Sequence, residues 1–314
     1  MKTARYQLGH APTVTMDRCD GDLIIVGHDD PVVVLTADEL PHLAPDQDRA
    51  TLRIEGCDDD LRLTLPFGAT VIADHIDGDL RVAGIARCTL AHVDGDLTME
   101  DAPGPYAVGD VDGDVRVRAV ANLSLGAIDG DARLEGVTDR FTLGHVTGDL
   151  ILDGAVQGFG PAHVEGDLTL AIAFQPAHEY RLIVDGDTTI RLPDEANLTL
   201  QAAVHGDVSG LPHTHGDGHG RGEVRATWGD GSSSLSLSVG GDLRIRSGSV
   251  SAMAARHSYA PADGSAGQEA EGARIGGEPK PEPAITTMAT PNLGVLEALS
   301  RGEISVDEAE SLLR

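Results

Sequence analysis

Aspartate recurs in this chain at a spacing that could gather carboxylates into a column. Gly78-Asp79, Gly95-Asp96, Gly113-Asp114, Gly130-Asp131, Gly148-Asp149, Gly166-Asp167, Gly186-Asp187 and Gly206-Asp207 follow one another at intervals of 17, 18, 17, 18, 18, 20 and 20 residues. A second acidic row, Asp77, Asp94, Asp112, Asp129 and Glu165, precedes the glycines. Stacked about 4.8 Å apart, such carboxylates could hold Ca2+, which favours oxygen ligands. Without a cation they would repel by roughly 0.9 kcal/mol per neighbouring pair in water. A column can also be structural: each Asp accepts a turn N–H in an Asx-type bond, and Arg81, Arg116 and Arg133 balance the charge. The Ca2+-binding nonapeptide signature is absent. The turn is therefore the preferred reading of the column.

Carboxylate pairs on a β-helix can also cleave or deprotonate sugars. A catalytic pair should break the repeat, whereas here the acids recur identically. Nor does the chain contain a nucleophile elbow, a phosphate-binding Gly-rich loop or a zinc-protease helix. No enzyme is expected, and no catalytic or cofactor-binding residue is assigned. A second cluster, His213, His215, Asp217 and His219 with His205 upstream, offers imidazoles that could bind Zn2+ or Ni2+. Its glycine-rich surroundings read as a solvated loop, so no metal ligand is assigned there either. Cys19, Cys57 and Cys88 fall on inward positions of the repeat, as small hydrophobes. Their odd number argues against a disulfide framework.

The elements that position these residues follow from the repeat itself. Two positions before each glycine stand Ile76, Val93, Val111, Ile128, Val146, Val164, Val184 and Val204, and Val239 precedes Gly241 in the same way. Two positions after it stands mostly Leu or Val, and four after come Val82, Met99, Val117, Leu134, Leu152, Leu170 and Ile190. Ile85, Ala102, Val120, Val137 and Ala155 follow at a corner, and Cys88/Leu90, Tyr106/Val108, Leu123/Leu125 and Phe141/Leu143 lead into the next glycine. Each unit thus reads as two period-2 strands, each with one further inward residue. A unit this short cannot bury such a face alone, but copies stacked in register can. The expected fold is all-β: a β-solenoid of 17–20-residue coils with Val/Ile and Leu ladders inside. Antiparallel hairpins turning at Asp-Gly would not need the same offsets to recur. Earlier copies stand at Asp20-Gly21-Asp22-Leu23 and, degraded, at Asp58-Asp59-Asp60-Leu61; a late one is Gly240-Gly241-Asp242-Leu243, with room for a weak copy before it. The two 20-residue units accommodate a wider loop such as 174–179.

Composition excludes several partners. The 314 residues carry 23 Lys+Arg against 51 Asp+Glu, a net charge of −28, and no basic stripe for nucleic acid or an anionic membrane. Nine aromatic residues (one Trp, four Tyr, four Phe) are too few for a large aromatic-lined pocket. The first residues lack the apolar core of a secretory signal, and runs such as 23–26 and 32–35 are too short to span a bilayer. A cytoplasmic location is expected, with envelope association open.

Three regions follow: a repeat domain over 1–247, a Gly/Ala/Pro/Ser-rich flexible linker over 248–292, and a helical hairpin over 293–314. Gly302 stops the first expected helix, and Ser305-Val306-Asp307-Glu308 caps the second. Leu61-Arg62-Leu63-Thr64-Leu65-Pro66 running through Val71 into Gly78-Asp79, and Thr189-Ile190-Arg191-Leu192-Pro193 running through Leu198 into Gly206-Asp207, resemble the bacterial putative-adhesin repeat domain of unknown function. The stretch from Leu293 to Arg314 resembles the SHOCT-like helical hairpin that accompanies such domains. The resemblance implies a β-solenoid, often linked to the cell envelope, with no catalytic residues to carry over. Together these features point to a non-catalytic acidic scaffold presenting a tethered hairpin to a protein partner or to a second copy. A surface adhesin exported by another route is the alternative, and a polysaccharide-acting enzyme the third reading.

Overall fold

The computed structural model describes residues 1–43, 50–211 and 222–248. They belong to the first of two compact units, Met1–Ala260; the second, Pro261–Arg314, with the expected hairpin, lies outside the described residues, as do most of the expected linker and the His213–His219 cluster. The described residues are all-β. Twenty-four strands form one continuous, open sheet, and no helix occurs among them, hence none long and apolar enough to cross a membrane.

Pairing is parallel wherever successive copies meet. Strands entering the Gly-Asp positions stack as Thr70–Ile76, Arg87–Val93, Leu97–Val111, Val115–Ile128, Phe141–Val146, Phe159–Val164 and Glu179–Val184. Strands leaving them form a second ladder in the same order, from Leu80–Ala83 to Thr188–Leu192. Hairpins at Asp-Gly are thereby excluded for these copies. Register is set by the apolar offsets: Ile76 pairs with Val93, Val93 with Val111, Val111 with Ile128 and Ile128 with Val146. A slip by one residue would turn each of these outward, and all are buried.

The remaining inward offsets are buried as well, except at Ala155 and Val208, which are half-buried. Ile85, Ala102, Val120 and Val137 are in the core, but Ala155 is half-buried and Val156 takes its place. The register shifts between Glu135 and Val137, which pairs with Gly154, so the corner moves by one residue. Aromatic side chains concentrate where the 20-residue unit widens. Phe141, Phe159, Tyr180 and Phe174 meet edge-to-face at 5.5, 5.5 and 5.0 Å, and the Tyr180 hydroxyl donates to the Val156 carbonyl.

At both ends the order of stacking departs from the order of sequence. Thr13–Cys19 lies between Thr51–Gly56 and Thr70–Ile76, and Leu23–His28 lies between Leu61–Pro66 and Leu80–Ala83. The first copy is thus inserted between the second and the third. At the other end Ser233–Val239 sits between Glu179–Val184 and Leu198–Val204, and Leu243–Ser247 between Thr188–Leu192 and Val208–Ser209. The copy at Gly241 therefore stacks directly on that at Gly186, and the interval before it holds an antiparallel strand, Gly222–Trp228, rather than a weak parallel copy. Antiparallel strands also cover the first end: Val32–Ala37 on Leu61–Pro66, Lys2–Gln7 on Val32–Ala37, and His42–Leu43 on Thr51–Gly56. Free parallel edges would otherwise invite pairing with other chains.

Candidate functional site

The aspartates form the expected column, but their bonds run between copies rather than within a turn. The Asp96 N–H donates to Asp79 Oδ1 at 2.9 Å, the Asp114 N–H to Asp96 Oδ1 at 2.9 Å, and the Asp131 N–H to Asp114 Oδ1 at 2.8 Å. The pattern continues through Asp149, Asp167 and Asp187, then to Asp242 and finally Asp207. At the first end, Asp79 donates to Asp22 and Asp22 to Asp60. Each bond to a charged acceptor is worth roughly 1.5–3 kcal/mol, which exceeds the roughly 0.9 kcal/mol repulsion per neighbouring pair. The expected arginine partners look elsewhere: Arg81 reaches Glu100 and Arg133 reaches Glu135. Arg244 does join the column, at 3.1 Å from Asp187 and 2.9 Å from Asp242.

The glycines are explained by the same geometry. A Cβ on Gly113 would lie 2.5 Å from Asp96 Oδ1 and 2.7 Å from the Gly95 carbonyl, and Gly130, Gly148 and Gly166 meet the same obstacle. Their backbone lies outside the left-handed region, so the requirement is close approach of the neighbouring copy. Asp59 stands where other copies have glycine. Its Cβ is tolerated because the copy it belongs to is outermost, and that accounts for the first copy sitting inside it: Gly21, not Asp59, faces the Asp60 carboxylate at 2.7 Å.

Asp79→Asn should shift the melting temperature little, because Asn keeps the acceptor oxygen for the Asp96 N–H and removes a charge. Asp79→Ala should cost about 1 kcal/mol, the lost bond less the repulsion between neighbouring carboxylates that it relieves. Thermal melts by circular dichroism, with and without millimolar Ca2+, check both; a marked rise with Ca2+ that Asp79→Asn removes would make the column a cation site instead.

A row of imidazoles lies beside the acids, on residues that sequence reading passed over. His75, His92, His145 and His163 each stand three positions before a glycine, a recurrence visible in the sequence. Strand alternation breaks there: Leu90 and Val93 face inward, while Ala91 and His92 both face outward. His75 and His92 are paired in register and their rings stack at 5.1 Å, tilted by 3°. His75 Nε2 lies 2.6 Å from Asp77 Oδ1, and His92 Nε2 lies 2.7 Å from Asp94 Oδ1. His145 meets Glu165 at 3.1 Å and His163 meets Asp185 at 3.2 Å, with their rings at 61° to each other. His205 accepts no part in this row; its Nδ1 lies 3.2 Å from the Val239 carbonyl.

The three cysteines are free and buried, as expected of inward positions. Cys19 and Cys57 are bridge partners across the first two stacked copies. Both thiols donate to backbone carbonyls, Cys57 to Asp59 at 2.9 Å, and the interaction between the two sulfurs draws the Cys57 thiol down and pushes Cys19 up. Burial alone pushes Cys88 up to about 12.

Neither a protein-family model nor a curated protein sequence matches the chain. Among solved structures, it is similar to one described as a putative cell adhesion protein from Clostridium sporogenes, with 10% identity, 79% of this chain and 99% of that chain covered, and a TM-score of 0.20.

Proposed function

We propose that the repeat unit winds as a β-solenoid, one turn per copy, and serves as a non-catalytic acidic scaffold that carries a partner-binding segment at residues 293–314. The observation supporting this reading is the Asp column. From Asp60 to Asp242 each carboxylate of the column accepts the N–H of the next copy in the same way, and only the terminal Asp207 lacks such a donor among the described residues, so none within the column is singled out as an acid, base or nucleophile. Two ladders sharing one order of copies support the winding. The partner contact rests on residue chemistry: Leu296, Leu299, Ile304, Leu312 and Leu313 are too many apolar residues for two short helices to cover mutually. A linker of about 45 residues gives a reach of roughly 35–40 Å.

Affinity capture from the native cell with the full chain, and with residues 293–314 removed, tests the assignment. A partner held only by the full chain is the expected result. Leu299→Asp should abolish that capture and leave the melting temperature of the repeat unit unchanged. A lowered melting temperature or end-to-end aggregation would make the segment a cover for the sheet edge instead.

A further inference from the structure

We infer that His75, His92 and Asp94 form a binding site for a divalent transition-metal ion of the Zn2+ class. One donor atom from each of the three lies within 4.8 Å of the others. The Asp94 carboxylate bridges the row: Oδ1 is 2.7 Å from His92 Nε2 and Oδ2 is 3.8 Å from His75 Nε2. The two imidazoles are held one above the other by in-register pairing of parallel strands. Their side chains are 36% and 32% exposed, leaving room for both Nε2 atoms to tilt toward one ion. Zinc–nitrogen and zinc–oxygen bonds of about 2.0–2.2 Å require that convergence.

The surroundings favour a cation. Arg18 lies beside His75 and donates to Asp77 Oδ2 at 2.5 Å and to Asp20. Asp112 lies 3.9 Å from His92 Nε2 on the far side. With neutral imidazoles the cluster holds one guanidinium against Asp20, Asp77, Asp94 and Asp112, a net charge of −3. Asp77 Oδ1 faces His75 and can serve as a fourth ligand. Two nitrogen donors select a borderline-soft ion over Ca2+. The second histidine pair does not repeat the arrangement: the rings of His145 and His163 are turned 61° from each other, and each pairs with its own acid, whereas Asp94 lies within 4 Å of both His75 and His92.

Zn2+ titration of the full chain, stripped with chelator and carrying His213→Ala, His215→Ala and His219→Ala to silence the other cluster, tests the site. One ion per chain is expected at pH 7.5. His92→Ala and Asp94→Asn should each weaken binding at least about tenfold, and His145→Ala should leave it unchanged. Melting curves of the metal-free variants should coincide. Absence of binding, binding indifferent to His92→Ala and His75→Ala, or an equal loss in His145→Ala would overturn the assignment.

Discussion

Val146→Asp is expected to abolish cooperative folding of the repeat unit. Val146 is fully buried and stacks in register on Ile128 on one side and Val164 on the other. A carboxylate there meets only apolar neighbours, and burying an unpaired charge exceeds the roughly 4–5 kcal/mol already exceptional for a point substitution. Because each copy of a repeat contacts only its neighbours, a defect in a middle layer separates the two halves of the ladder. The change should appear as loss of soluble protein, or as a far-ultraviolet spectrum without a cooperative melt. A cooperative melt within a few degrees of the parent would contradict the stacking of these three residues.

Gly113→Ala should destabilise by about 1–3 kcal/mol, the range of overpacking in a well-packed interior. The added Cβ meets Asp96 Oδ1 and, at 2.7 Å, the backbone of Gly95, which cannot swing aside as a side chain could. In the unfolded chain alanine is the less costly residue to order, so a loss of stability isolates the contact between copies. Gly56→Ala is the matching control, since a Cβ there meets nothing within 4 Å. Equal melting temperatures for the two variants would remove close approach as the reason for the repeated glycine.

The inward ladders were legible because each copy repeats the same offsets and the side-chain period of a strand is two. Val146, Leu150 and Leu152 could be placed inside from spacing alone, and they are buried. The exchange of copies at the ends was not legible, because identical offsets let one copy replace another without changing any inward face. A signal did exist in Asp59, the single departure from glycine among these copies, since its Cβ can be housed only on an outermost layer. The half-buried Ala155 eluded spacing because a register shift at one corner moves the inward position by one residue. Of the candidate metal chemistry, the sequence drew attention to His213–His219, where imidazoles are close along the chain. The pair that meets in space, His75 and His92, is 17 residues apart and becomes a pair only through parallel stacking.

Interleaved ends make the order of synthesis different from the order of assembly. As the chain leaves the ribosome, Thr13–Cys19 appears before both of its neighbours, which begin 38 and 57 residues later. Both of its edges stay open until those segments exist. At the other end, Leu198–Val204 is made before Ser233–Val239, the strand that must lie between it and Glu179–Val184. A nascent chain must therefore either hold a slot open or displace a neighbour pairing already formed. A chain stopped before Ser233 lacks an internal layer rather than an outer one, and a chain begun after Cys19 loses the layer between Thr51–Gly56 and Thr70–Ile76.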